Sequence, residues 1–112
     1  MNPEEYEQLY LPKLEEEYKQ STEWLRSNSF NTRKYIPASK DVFGIITRLQ
    51  EFEKHFLTYN SLAQYLDKRG LSSMSKRLYE ILNDIRQARF EYQKLYQNAL
   101  NIESFQLPMP WF

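Results

Sequence analysis

His55 is the single histidine of the chain, and in the stretch EFEKHFL it has Glu51 four residues before it and Thr58 three after. On a helix these three share one face. Acid, imidazole and hydroxyl are the raw material of general base catalysis, yet a lone helical histidine among acids is ordinarily a surface residue. Metal chemistry is no better served. A zinc site takes about four His, Cys or carboxylate ligands, and there is no cysteine to add to the one histidine. Di-metal carboxylate bundles use Glu-x-x-His pairs on two helices, whereas Glu51 and His55 are spaced by four and no second histidine exists. Glu15, Glu16 and Glu17 are consecutive, so a helix points them around its circumference. Two glycines, Gly44 and Gly70, cannot build a phosphate cradle, and no P-loop, GxGxxG or G-x-S-x-G occurs. The expectation is a protein that is not an enzyme and holds neither metal nor cofactor.

A second chemistry is the binding of phosphates. Lys68, Arg69, Lys76 and Arg77 fall close together, with Arg86 and Arg89 further along. Asp67, Glu80 and Asp84 interleave with them and blunt attraction to a polyanion. A nucleic-acid-associated accessory protein using Lys68, Arg69, Lys76 and Arg77 is therefore the alternative reading. Binding of another protein is the first one. Tyr79, Arg86 and Phe90 recur on one helical stripe with Asn83, Gln93 and Gln97, and aromatics flanked by arginine and amides suit an interface. The sharper feature is the ending SFQLPMPWF, where Phe105, Leu107, Met109, Trp111 and Phe112 are apolar. Pro108 and Pro110 bar helix and hold Leu107 and Met109 extended. An apolar segment of this kind loses little entropy on docking into a groove. It serves either as a ligand for a partner or as a plug for the open end of its own bundle.

The elements that must position these residues are helices. Eighteen aromatics, abundant Glu, Lys, Leu and Gln, and only two glycines in 112 residues argue against a sheet. Val42, Ile45, Leu49, Phe52, Phe56, Tyr59, Ala63 and Leu66 recur at alternating steps of three and four, and Met74, Leu78, Ile81, Ile85, Ala88, Tyr92, Leu95, Ala99 and Ile102 do the same. Both tracks have the period of a left-handed helical seam. Between them stands DKRGLSS. Lys68 and Arg69 suit a helix C-terminus, Gly70 supplies the left-handed residue, Leu71 folds back onto Leu66, and Ser72 or Ser73 caps the next helix. The product is an antiparallel coiled-coil-like hairpin. Folding about Gly70 pairs residues whose numbers add to about 140 or 141, setting Phe56 against Ile85, Phe52 against Ala88 and Val42 against Ala99.

Phe43, Ile46, Leu57, Leu62, Tyr65, Leu82 and Tyr96 lie off this seam and need cover. The N-terminal segment, with Leu11, Leu14, Tyr18 and Leu25 near one face, is the candidate. Because a proline is comfortable only in a first helical turn, Pro12 predicts a short turn of helix over 3–10 and a main helix over 12–27. A loop over 28–38 follows, pinned by Phe30, Tyr35 and Ile36, and Ser39 is the expected N-cap of a helix over 39–69. The last helix spans 73–103 and the apolar tail 104–112.

Charge and targeting bound the rest. Fifteen Lys and Arg balance fifteen Asp and Glu, but residues 1–25 hold seven acids against two bases. The start MNPEEYEQLY lacks the basic and apolar regions of a signal peptide, and no apolar run nears the ~20 residues of a membrane span. The sequence thus predicts a single all-α domain over 1–112: a three-helix bundle built on a long antiparallel hairpin, with an extended C-terminal tail. It is expected to be soluble and cytoplasmic, without membrane insertion, and to work as an adaptor, assembly factor or small chaperone. Its expected partner is another protein, and self-association as a homodimer follows from the off-seam apolar residues.

Overall fold

The computed structural model describes residues 1–106. Four helical segments follow in order: α1 (Pro3–Asn28), α2 (Ser39–Leu57), α3 (Asn60–Asp67) and α4 (Ser73–Gln106). They build a three-armed bundle, because α2 and α3 run end to end as one arm of the hairpin and α4 returns as the other. The rod measures 72 × 22 × 17 Å.

The turn between the arms follows its sequence closely. Gly70 has φ 81°, the Leu71 N–H donates to the Leu66 carbonyl at 3.0 Å, and the Gly70 N–H donates to Asp67 at 3.0 Å. This is a Schellman closure, with Leu71 laid onto the core that contains Leu66. The register it imposes is visible far away. The rings of Phe43 and Tyr96 lie 5.8 Å apart, Arg89 reaches Glu53 at 3.1 Å, and Ser39 meets Glu103. In each pair the residue numbers add to about 140, as a heptad seam folded at Gly70 requires.

Three boundaries depart from expectation. α1 is continuous through Pro12, where a break was predicted. Pro12 and Gln8 both lie on the exposed side of the helix, where solvent can reach a carbonyl that the proline leaves without a donor. Aromatic anchors on either side of it hold the helix against the hairpin: Tyr6 edge-on to Tyr65 at 6.0 Å and Tyr18 edge-on to Phe56 at 6.4 Å. Asn2 caps this helix, accepting from the Glu5 N–H at 2.9 Å, and Pro3 fills the first turn.

The arm predicted over 39–69 is interrupted at Thr58 and Tyr59. Their N–H groups donate to the carbonyls of His55 and Phe56, three residues back, and the Thr58 hydroxyl also donates to His55. A side chain competing for the backbone tightens one turn to 3₁₀ geometry. The seam survives it, since Phe56, Tyr59 and Ala63 are all buried. At the far end α4 runs to Gln106, three residues past the predicted 103, so Ser104 and Phe105 are helical rather than part of an extended tail.

Ser39 is a further correction. It is the first helical residue of α2 and not its cap. Ala38 holds the cap position without a side-chain bond, and the missing acceptor is supplied from across the hairpin by Glu103.

The core sits in the half of the rod nearest Gly70. Leu14, Phe56, Leu66, Met74 and Ile81 are fully buried there. α1 runs antiparallel to α2 and α3 and parallel to α4, ending beside Phe52, against which Trp24 packs edge-on at 5.6 Å. Beyond that point the hairpin continues as two helices, with Val42, Ile46 and Ala99 buried near its end. Phe30 packs on the core and Pro37 is buried, while Tyr35 and Ile36, expected as pins, are exposed. Proline pins the loop in their place.

Candidate partner-binding surface

α1 binds one flank of the hairpin, and a polar set fixes which. Glu15 pairs bidentately with Arg77, its two carboxylate oxygens accepting from Nε and Nη2. The Tyr18 hydroxyl donates to Asp84 at 2.7 Å. The Glu17 carboxylate takes the Tyr59 hydroxyl and faces His55 Nε2, both at 2.7 Å. Arg77, Asp84 and His55 project from the same side of the seam. The off-seam residues Leu62 and Tyr65 lie there and are half-buried, whereas Phe43 and Leu57 lie on the other side and are exposed. One helix therefore covers one flank, and the expectation that the N-terminal segment shelters all the off-seam residues is corrected.

The candidate catalytic face resolves differently from its sequence pattern. His55 does not engage Glu51; its partner is Glu17, thirty-eight residues earlier. Burial would raise the Glu17 pKa, but hydrogen bonds from Tyr59 and His55 outweigh it and hold the carboxyl below its ordinary value. Burial and the same carboxylate push the Tyr59 phenol up. The Thr58 hydroxyl is spent on the His55 carbonyl. The cluster thus joins α1 to the α2 terminus. Among the described residues, no group of three His, Asp or Glu side chains converges as metal ligands would.

The basic tip is partly occupied. Arg77 is held by Glu15 and Glu80, whose carboxylates push its pKa further up. Arg69 donates to the Tyr65 carbonyl at 3.0 Å and stacks 3.8 Å over its ring. Lys68 and Lys76 remain exposed. Tyr6 on Tyr65 brings the acidic start of α1 beside them.

The partner-binding candidates on α4 are open. Tyr79 is 73% exposed, Phe90 53% and Phe105 89%. α1, which could have packed over Tyr79 and Phe90, lies on the Arg77 and Asp84 flank instead. Arg86 is half-exposed and lies 3.6 Å from Glu53, and Lys94 sits 4.5 Å above the Phe90 ring. These residues do not form a pocket. Tyr79, Arg86, Phe90 and Phe105 form a line along α4 of about 39 Å at 1.5 Å per residue. Leu107, Met109, Trp111 and Phe112 lie outside the described residues. One concavity was not foreseen from sequence: a cleft of about 500 Å³ between the loop and α4, lined by Phe30, Ile36, Tyr92, Leu95 and Asn98. Its signal was the placement of Phe30 and Ile36 in a loop too long for a simple helix connection.

No described helix is long and apolar enough to cross a membrane. The chain matches no protein-family model, no curated protein and no solved structure. Its function is argued from its own geometry.

Proposed function

We propose that the chain is a non-catalytic protein-interaction module of the cytoplasm. It acts as an adaptor, assembly factor or small chaperone that docks a larger partner, or a second copy of itself, through apolar surface on α4 and the residues that follow. One observation carries the reading: Tyr79, Phe90 and Phe105 stand exposed along α4 on the side that α1 leaves open, and the chain continues from Phe105 into four more apolar residues, Leu107, Met109, Trp111 and Phe112. Exposed aromatics beside arginine are the composition of interface anchors. Phe105 at 89% exposure contributes almost nothing to the bundle.

The test removes residues 105–112 and reads two quantities, melting temperature and capture of partners from the native host. Unchanged melting with lost capture is the expected result. A lower melting temperature with capture intact would make the segment a plug of its own bundle and overturn its role as a ligand.

A further inference from the structure

The flank of the hairpin opposite α1 carries apolar residues in two groups with charge between them. Near the open end are Phe43 on α2, with Tyr96 and Leu100 on α4. Towards the Gly70 turn are Leu57 on α2 and Tyr79 on α4, with Leu82 buried in the seam between them. Phe43 is 55% exposed, Leu57 42% and Tyr79 73%, and the Phe43 and Tyr96 rings touch across the seam. Between the groups Glu53 lies 3.1 Å from Arg89 and 3.6 Å from Arg86, its side chain only 15% exposed. No described helix covers this face, since α1 is committed to the Arg77, Asp84 and His55 side.

We infer that this face seats a second copy of the chain, hairpin turn beside hairpin turn, with α2 of each copy lying across α4 of the other. Self-pairing of this kind rests on the interaction-module reading and names one of its partners. Charge complementarity selects the occupant and its direction. In the parallel arrangement each level of α2 meets the same level of the other copy's α4, so Phe43 meets Tyr96 and Leu100, Leu57 approaches Tyr79, and Glu53 meets Arg86 and Arg89. An antiparallel pairing that also superposes the apolar groups centres on Gln50 and Arg89, lays α4 on α4 so that Arg89 faces Arg89, and keeps each Glu53 away from the other copy's arginines. A two-fold axis along the rods makes the surface its own complement.

The area is sufficient. From Phe43 to Gln64 the face runs about 32 Å at 1.5 Å per residue, and it is two helices, about 20 Å, wide. That footprint of about 600 Å² before side-chain relief approaches the roughly 800 Å² per partner of stable complexes. The dimer core is then a four-helix bundle made of two hairpins, with each α1 on its outer side.

The test is the mass of the full chain in solution by sedimentation, at micromolar concentration. A mass of twice 13.7 kDa is expected, falling to the single mass when Phe43 and Leu57 are both replaced by Lys. Both side chains are exposed, and a circular-dichroism melt verifies that the variant is folded. Orientation is read with cysteines, which the natural chain lacks. Mixed Gln50→Cys and Gln93→Cys preparations should form the mixed disulfide under oxidation. Preferential Gln50→Cys self-disulfide would overturn the parallel arrangement, and a monomeric wild type would overturn self-pairing altogether. Dimerisation that appears only after truncation past Gln106 would make the chain's own tail the occupant, which also overturns it. A monomer that still captures a host partner through α4 leaves the module reading standing, so the two failures are distinct.

Discussion

Glu103 accepts from both the backbone N–H and the hydroxyl of Ser39, at 2.8 and 2.7 Å, across 64 residues of sequence. A carboxylate from the end of α4 thus does for α2 what an N-cap side chain does locally, meeting an orphan donor with a negative charge at the positive end of the helix dipole. It also closes the hairpin opposite Gly70, where only two helices run.

Glu103→Gln should therefore loosen the open end and leave the core intact. Hydrogen exchange at the amides of Ser39 to Val42 should accelerate while that of Ile81 and Leu82 stays unchanged. The Ser39 backbone and side-chain donors hold the Glu103 carboxyl below its ordinary pKa. Its contribution is accordingly present above the ordinary value near 4.5 and is lost as pH falls through the lowered one. Acidification of the wild type should reproduce the exchange pattern of Glu103→Gln.

Pro12→Ala should stabilise the protein. An interior proline costs a helix about 3 kcal/mol, and here α1 carries that cost at an exposed position inside one continuous helix. Part of the gain is returned because alanine leaves the unfolded chain freer, by about 1 kcal/mol. A net increase of about 1–2 kcal/mol in urea unfolding at constant slope is expected. A decrease would show that the proline shapes α1 in a way its exposed position does not reveal.

Replacing the tip cations separates fold from binding. Arg77→Ala removes the pair with Glu15 that ties α4 to α1, and the partly exposed site limits the loss to about 1 kcal/mol. Lys68→Glu and Lys76→Glu leave that pair intact; Lys76→Glu should leave stability unchanged, and Lys68→Glu, at the α3 C-terminus, should cost under about 1 kcal/mol. If the exposed aromatics on α4 carry partner binding, neither lysine change nor added salt alters affinity much. A steep fall in affinity between about 50 and 200 mM salt would instead favour the nucleic-acid reading.

The hairpin was legible because its information is local and repeated: nine apolar positions on α4 at one period, and a turn whose Lys68, Arg69, Gly70 and Leu71 each fit one backbone role. The flank chosen by α1 was not. Leu62 and Tyr65 on one side and Phe43 and Leu57 on the other are equally apolar in sequence, and the choice is made by Glu15, Glu17 and Tyr18 finding Arg77, His55 and Asp84. Those partners are long-range, and no periodicity encodes them. Pro12 and Thr58 failed as signals for opposite reasons. The rule that proline ends a helix omits solvent access to the freed carbonyl, and the rule that an apolar seam implies an unbroken helix omits a threonine hydroxyl competing for the backbone. Of the candidate contact residues, Tyr79 and Phe90 stand outward as their stripe implied, whereas Phe105 is reached by an extension of α4.

Leu14→Ala tests how α1 is held. Leu14 is the single fully buried residue of that helix, so its truncation opens the core beneath the partly buried residues that flank it. A cost of about 2–4 kcal/mol is expected from lost burial and the cavity left behind. Because α1 carries Trp24 against Phe52, the loss should register as an early change in tryptophan emission on heating. A single coincident transition for Trp24 emission and helical signal would instead mean that α1 and the hairpin unfold as one unit.

Glu17 supplies the pH dependence of the same attachment. Its carboxylate joins α1 to two groups at the α2 terminus, His55 and Tyr59, and these bonds hold its pKa below the ordinary 4.5 against the opposing effect of burial. A carboxyl whose folded pKa is lowered contributes stability above its unfolded value, and that contribution disappears as pH falls through the folded one. The attachment should therefore weaken below about pH 4.5, by under about 1 kcal/mol for a pair this close to solvent. Tyr59→Phe removes one donor and should move the Glu17 titration, followed by carboxyl NMR, back up towards the ordinary value. Glu17→Gln removes the titration and should flatten the acid limb of α1 detachment read from Trp24. If the limb persists unchanged in Glu17→Gln, the His55 cluster is a contact without a role in the acid sensitivity of the helix.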